Sequence, residues 1–153
     1  MDLILWRHAE AIDLELVGDD MIRTLTPRGE KQAARMAGWL DRQLPDSTKI
    51  WSSPAIRAEQ TAKALGRKFK ISPALAPLAS VDQLLNLVQW PQDKGCVLVV
   101  GHQPTLGKVL AKLLNLSDNE CAVKKGAVWW LRFREREDTS KTVVVTVQSP
   151  EHL

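Results

Sequence analysis

Leu3-Ile4-Leu5-Trp6-Arg7-His8-Ala9-Glu10 is a run of four apolar residues that breaks directly into a cation and an imidazole. Four consecutive apolar residues without alternation read as a short strand buried on both faces, the pattern of a parallel sheet covered by helices. Arg7 and His8 then stand at the carboxyl end of that strand, where open α/β sheets bind their ligands. The arginine fork suits a phosphate and keeps its charge at all working pH values. A neutral histidine beside it is a nucleophile able to accept a phosphoryl group and pass it to water. A solvated Arg-His pair at a strand end is the plainer alternative, and the rest of the chain has to choose between them.

The 153 residues suit one compact domain spanning the chain, 1–153. With 44% hydrophobic and 25% charged residues the composition is that of a globular protein and excludes a disordered chain. A net charge of +3, with signs mixed along the sequence, fits a site for anions better than a nucleic-acid groove. Cys96 and Cys121 have no metal-ligand spacing and form no disulfide framework, which points to a reducing compartment. The first apolar run is too short for a signal peptide and is followed, not preceded, by Arg7. No stretch is long enough to span a membrane. A cytoplasmic protein with no nucleic-acid or membrane partner is therefore expected.

Further along, Thr26-Pro27 is an N-cap followed by proline at the first helical position, and Ala33, Met36, Ala37, Leu40 and Leu44 recur at helical spacing. Lys49–Ser52 reads as a second strand, and Ser53-Pro54 repeats the cap signal before a helix carrying Ile56, Thr61, Ala62 and Leu65. A short strand at Lys70-Ile71-Ser72, a loop through Pro77 and Ala79, and a helix capped by Ser80 and ended before Pro91 follow. Cys96–Val100 is the strongest strand, β-branched and apolar. It runs into Gly101-His102-Gln103-Pro104 and then an amphipathic helix through Leu106, Val109, Leu110 and Leu113. Ala127–Phe133 and Thr142–Val147 read as an antiparallel hairpin, with the charged run Arg134–Asp138 as its solvated turn. Strands alternating with helices, then a hairpin, give an α/β three-layer sandwich with a mostly parallel sheet and an antiparallel edge.

His8 and His102 each follow a buried strand, so both imidazoles belong on one edge of the sheet. Arg57 falls in the first turn of the helix after the second strand, beside free backbone N–H groups. Taken alone, Arg57 reads as a surface cation and His102 as a loop histidine. Together with Arg7 they make an anion site containing a nucleophile, since the plain readings need three coincidences on one edge. The six tryptophans read as core or sheet packing and none is assigned to the site.

At these residues the chain resembles the histidine phosphatase superfamily, with its phosphoglycerate-mutase-like fold. Arg7-His8-Ala9-Glu10 resembles the Arg-His-Gly signature, and the stretch 52–62, containing Arg57, resembles the second phosphate motif. Val99-Val100-Gly101-His102 resembles the strand bearing the second catalytic histidine. Asp20, Arg23, Leu25, Thr26 and Gly29 resemble the small SixA-type phosphohistidine phosphatases. The resemblance implies that His8 is the phosphorylated nucleophile, and that Arg7, Arg57, His102 and Gln103 hold the phosphoryl oxygens. It also implies that no metal or other cofactor takes part; no carboxylate cluster in the sequence suits one. Ala9 stands where the signature has glycine. The loop Ala76–Ser80 lacks the carboxylic acid that many members carry there, and Asp82 reads as helix N-terminal charge. Lacking a general acid, the enzyme is suited to a labile P–N bond. The expected function is thus a phosphatase acting on phosphohistidine in a protein, with a histidine phosphotransfer domain or phosphotransferase carrier as partner. The alternatives are a small-molecule phosphomonoesterase of the same superfamily and a weakly catalytic phosphoprotein-binding module.

Overall fold

The computed structural model describes residues 1–136 and 139–153. Six strands form one sheet: β1 (Asp2–Arg7), β2 (Lys49–Ser52), β3 (Lys70–Ile71), β4 (Cys96–Gly101), β5 (Val128–Arg136) and β6 (Thr139–Gln148). Their spatial order is β3-β2-β4-β1-β5-β6. The first four run parallel, and β5 and β6 add the antiparallel edge.

Alternation along the central strand builds two cores. Ile4 and Trp6 pack with Met36, Leu40, Ala58 and Ala62 from α2 (Pro27–Gln43) and α3 (Ile56–Lys63). Leu3 and Leu5 pack on the opposite face with Leu84, Leu106, Val109 and Leu110 from α4 (Val81–Val88) and α5 (Thr105–Leu113). Each strand residue points to the face opposite its neighbour's, so an uninterrupted apolar run is what a sheet covered on both faces requires. The expected three-layer sandwich is the architecture found. A one-turn helix, α1 (Leu14–Val17), buries none of its residues and lies in the segment between β1 and α2. No helix among the described residues is long and apolar enough to cross a membrane.

The caps follow the local chemistry. Thr26 Oγ1 accepts from the Gly29 backbone N–H at 2.9 Å. Ser80 and Gln83 close a capping box at the start of α4. Two expectations need correction. Ser53 does not occupy the cap position of α3, which is Ala55 without a side-chain bond; Ser53 Oγ accepts from the Ala55 backbone N–H at 3.1 Å and also bonds a histidine described below. Arg134, Glu135 and Arg136 are not turn residues but continue β5, paired in register with Lys141, Ser140 and Thr139. A two-stranded ribbon running past the body of the sheet keeps its ladder without an apolar face, so its polar sequence resembles a turn. Glu137 and Asp138, the remainder of that charged run, lie outside the described residues.

Strand register brings the carboxyl ends together. Arg7 lies beside Gly101, and Ser52 beside Val100. The backbone N–H of His8 donates to Gly101 O at 3.1 Å and that of Ser53 to Val100 O at 3.0 Å. Three segments far apart in sequence therefore leave the sheet side by side.

Candidate active site

His8, Arg57 and His102 meet over this edge. All three are buried, with the Arg57 side chain only 4% exposed. His8 Nδ1 lies 2.8 Å from Ala9 O. A carbonyl only accepts, so Nδ1 carries the proton and Nε2 keeps its lone pair. Arg57 Nε donates to that Nε2 at 3.3 Å. Arg57 Nη2 reaches His102 Nδ1 at 3.3 Å, which makes Nδ1 the acceptor and Nε2 the protonated nitrogen. His102 Nε2 then donates to Ser53 Oγ at 2.7 Å. The two rings stand 5.1 Å apart between centroids.

Burial, chiefly, pushes both imidazoles down to about 3. For His8 the bond to Ala9 O opposes this, and the charges of Arg57, Arg7 and Arg23 add to it. For His102 the neighbouring His8 and Arg57 add to the burial. Both rings are neutral at any physiological pH, which preserves the His8 Nε2 lone pair.

Arg7 extends from the end of β1 and donates from Nη1 to Val123 O at 2.8 Å. Its Nε is buried and has no hydrogen-bond partner among the described residues. Arg7 directly precedes His8 in the chain, and its charge helps to lower both imidazole pKa values. Gln103 is placed differently from expectation. Its side-chain oxygen accepts from Gly107 N at 2.7 Å and its Nε2 donates to Cys121 O at 3.0 Å. Both ends of that amide are engaged in fastening the 121 segment to α5, so the side chain is not offered to the cluster. The close approach needs Gly107, where a Cβ would fall 2.0 Å from Cys121 O.

Ala9, in place of the signature glycine, is fully buried with Leu25 and Ala33, which leave room for its methyl group. Its N–H donates to Thr61 Oγ1 at 3.1 Å, and that hydroxyl donates to Arg57 O at 2.8 Å, tying the histidine strand to α3.

Asp20 has a role that sequence reasoning did not assign. Its backbone oxygen accepts from Arg57 Nη1 at 2.6 Å and its Oδ2 accepts from Nη2 at 3.1 Å. Its Oδ1 takes Arg23 Nη1 at 3.0 Å, and Arg23 Nε donates to Ile12 O at 2.7 Å. Burial alone would raise the Asp20 pKa, but the bonds from Arg23 and Arg57 outweigh it and hold the carboxyl below its usual value. In the sequence Asp20 and Arg23 resemble the SixA-type pattern, but nothing there indicates a contact with Arg57. Ser53 likewise carries no sequence signal for the histidine that it bonds. Asp82 lies elsewhere: its side chain is 79% exposed and pairs with Lys112 Nζ at 3.1 Å. Among the described residues no three His, Cys, Asp or Glu side chains are grouped so as to hold a metal ion.

Comparison with known proteins identifies the family. The sequence profile of the histidine phosphatase superfamily (branch 1) matches residues 3–78. Phosphohistidine phosphatase SixA of Escherichia coli (strain K12) is 30% identical over 122 residues, covering 74% of this chain and 74% of that protein. The solved structure of the protein histidine phosphatase SixA complexed with tungstate superposes with a TM-score of 0.81 at 25% identity, over 98% of this chain and 97% of that one. A putative phosphohistidine phosphatase SixA from Nakamurella multipartitia gives a TM-score of 0.75 at 26% identity, over 97% of this chain and 95% of that one. A strand-end histidine whose unprotonated Nε2 accepts from a buried arginine, on this fold and joined to these relatives, means that the chain belongs to the histidine phosphatase superfamily and is of SixA type.

Proposed function

We propose that this superfamily phosphatase removes the phosphoryl group from phosphohistidine in a protein, through a phosphohistidine formed on its own His8. The observation that carries the reading is the state of His8: Nδ1–H is tied to Ala9 O, which leaves the lone pair on Nε2, where it accepts from Arg57 Nε until a phosphoryl group takes that donor. In the first step Arg57 Nε–H turns from Nε2 to a phosphoryl oxygen, and the released Nε2 lone pair attacks phosphorus while the bond to the substrate imidazole breaks. The departing imidazole keeps the electron pair and takes a proton from water. In the second step water attacks phospho-His8, its proton passes to solvent, and Nε2 recovers its lone pair as inorganic phosphate leaves. Phosphoryl transfer of this kind depends on positioning and charge neutralisation. Arg57 and the unpartnered Nε of Arg7 are the donors suited to the phosphoryl oxygens. His102, braced by Ser53, holds the guanidinium of Arg57 against His8.

Substrate chemistry follows from the acids. Asp20 is held ionised by two arginines and Asp82 is engaged with Lys112 in solvent, so neither is a proton donor placed for the leaving group. A P–N bond requires little such help, whereas an alkyl phosphate loses about 10²–10⁴-fold without it. A phosphorylated histidine phosphotransfer domain or phosphotransferase carrier is the partner that fits, and arginines in place of a metal predict activity that survives EDTA. The tungstate held by the SixA relative supports reading the site as one for tetrahedral oxyanions.

The test is to quench the enzyme during turnover of a ³²P-phosphohistidine protein. An acid-labile, alkali-stable phosphoenzyme in the wild type and its loss in His8→Ala is the expected result. Equal turnover by His8→Ala would overturn the covalent route. Turnover of sugar phosphates in preference to phosphohistidine would overturn the substrate class.

A further inference from the structure

We infer that the apolar rim around the His8 cluster, formed by Leu14, Leu16 and Ile22 on one side and Leu78 on the other, is a docking surface for the protein that bears the phosphohistidine. The inference rests on the substrate class proposed above.

Leu78 at 84% and Leu16 at 75% are the most exposed large apolar side chains of the described residues, and Leu14 and Ile22 are about half exposed. Both sides of the rim are joined to the site by hydrogen bonds. The helical turn Asp20–Ile22 is fastened to Arg57 through the Asp20 backbone oxygen and carboxylate. The segment carrying α1 is closed at its base by the Ala11–Leu25 bridge and by Arg23 Nε on Ile12 O, so Leu14 and Leu16 stand at the tip of an anchored loop. Across the site, Thr105 Oγ1 donates to Ala79 O at 2.7 Å. Thr105 follows His102 by three residues, so this bond holds the 76–79 loop beside the second histidine.

Two features set this rim apart from scattered surface leucines. Leu78 has φ 67°, a left-handed conformation that a bulky residue rarely adopts, and it gains no burial in return. Strain of this kind persists where the surrounding structure over-determines it, commonly at binding sites. The one-turn α1 likewise turns both leucines to water, where they contribute nothing to the core. Charge selects the occupant. The centre of the surface is cationic, through Arg7, Arg57 and Arg23, and demands a phosphoryl dianion; the α1 side carries the exposed carboxylates Asp13 and Glu15 among its leucines. A small phosphate ester would leave the leucines in water. A protein that presents phosphohistidine on an apolar surface flanked by basic side chains satisfies the centre and the rim together.

The experiment compares one protein substrate with one small substrate: a histidine phosphotransfer domain phosphorylated on its histidine, and free phosphohistidine. Leu16→Glu and Leu78→Asn are measured beside Leu116→Glu, a control three residues beyond the C-terminal end of α5. Asparagine tolerates the left-handed backbone, so Leu78→Asn removes the apolar contact without disturbing the loop. Both rim variants are expected to lose about tenfold or more in kcat/KM on the phosphoprotein, mainly through KM. Free phosphohistidine should stay within about twofold of wild type, and Leu116→Glu should change neither substrate. Parallel losses on both substrates, or no loss on the phosphoprotein, would overturn the docking surface and leave the phosphohistidine reading standing. Failure of the wild type on both phosphohistidine substrates, with turnover of a phosphate monoester, would instead overturn the substrate class and the docking surface with it.

Discussion

Asp20→Asn should make the enzyme bind inorganic phosphate and vanadate more tightly, although the substitution falls in the site. The Asp20 carboxylate sits 3.1 Å from Arg57 Nη2 and 3.0 Å from Arg23 Nη1, and partly neutralises the two cations. A phosphoryl oxygen one hydrogen bond beyond the guanidinium places the two anions about 6 Å apart. Across that distance like charges repel by about 3 kcal/mol at an effective dielectric constant of 20. The Asp20 side chain is 39% exposed, so solvent screens the repulsion to about 1 kcal/mol. Asparagine keeps an acceptor for Nη2, and the backbone oxygen still takes Nη1, so Arg57 remains aimed at His8. The inhibition constant of phosphate should fall roughly fivefold, with Asp20→Ala as a companion that also loosens Arg57 and lowers kcat. Product-inhibition kinetics and calorimetric titration of phosphate measure both. Weaker phosphate binding in Asp20→Asn would show that Asp20 serves only to hold Arg57 in place, and the electrostatic argument would fail.

Other outcomes follow from the same geometry. His8 and His102 are neutral when folded but take up protons on unfolding below pH 6.5, so stability falls as pH drops from about 6.5 towards 3. Each histidine contributes a slope of about 1.4 kcal/mol per pH unit in that window. His8→Ala should therefore resist acid better than wild type in denaturant titrations between pH 6 and 4; an unchanged slope would mean that His8 is not buried neutral. Asp82→Asn removes only an exposed ion pair and should leave phosphohistidine hydrolysis within a few-fold of wild type, whereas a loss of about 10²-fold would identify Asp82 as a general acid. Gly29→Ala places a Cβ 2.0 Å from Glu10 O, next to the His8 segment. Overpacking of about 1–3 kcal/mol should outweigh the gain in helix propensity, with a lower denaturant midpoint and a lower kcat. A more stable Gly29→Ala would show that the Glu10 backbone yields freely.

Much of this protein was legible locally. The apolar runs at Leu3–Trp6 and Cys96–Val100 specify strands covered on both faces, because a period-2 element with no polar side has nowhere to expose one. Thr26-Pro27 and Ser80 mark helix starts through bonds made within a single turn. His8 and His102 could be paired from sequence because parallel strands joined by helices all end on one edge. What tertiary structure decided is the set of partners. Nothing near Arg57 in sequence indicates that Asp20, 37 residues earlier, closes on its guanidinium. Nor does the sequence show that Ser53 braces His102, or that Gln103 turns from the site to Cys121. The length of the β5–β6 ribbon was hidden for a related reason: cross-strand backbone bonds carry it through Arg134–Arg136, where no side-chain pattern marks a strand. Periodicity and caps are short-range properties that the chain expresses residue by residue. A hydrogen bond between distant side chains depends on which surfaces the packed layers bring within about 3 Å, and that is set only once the sheet has its order.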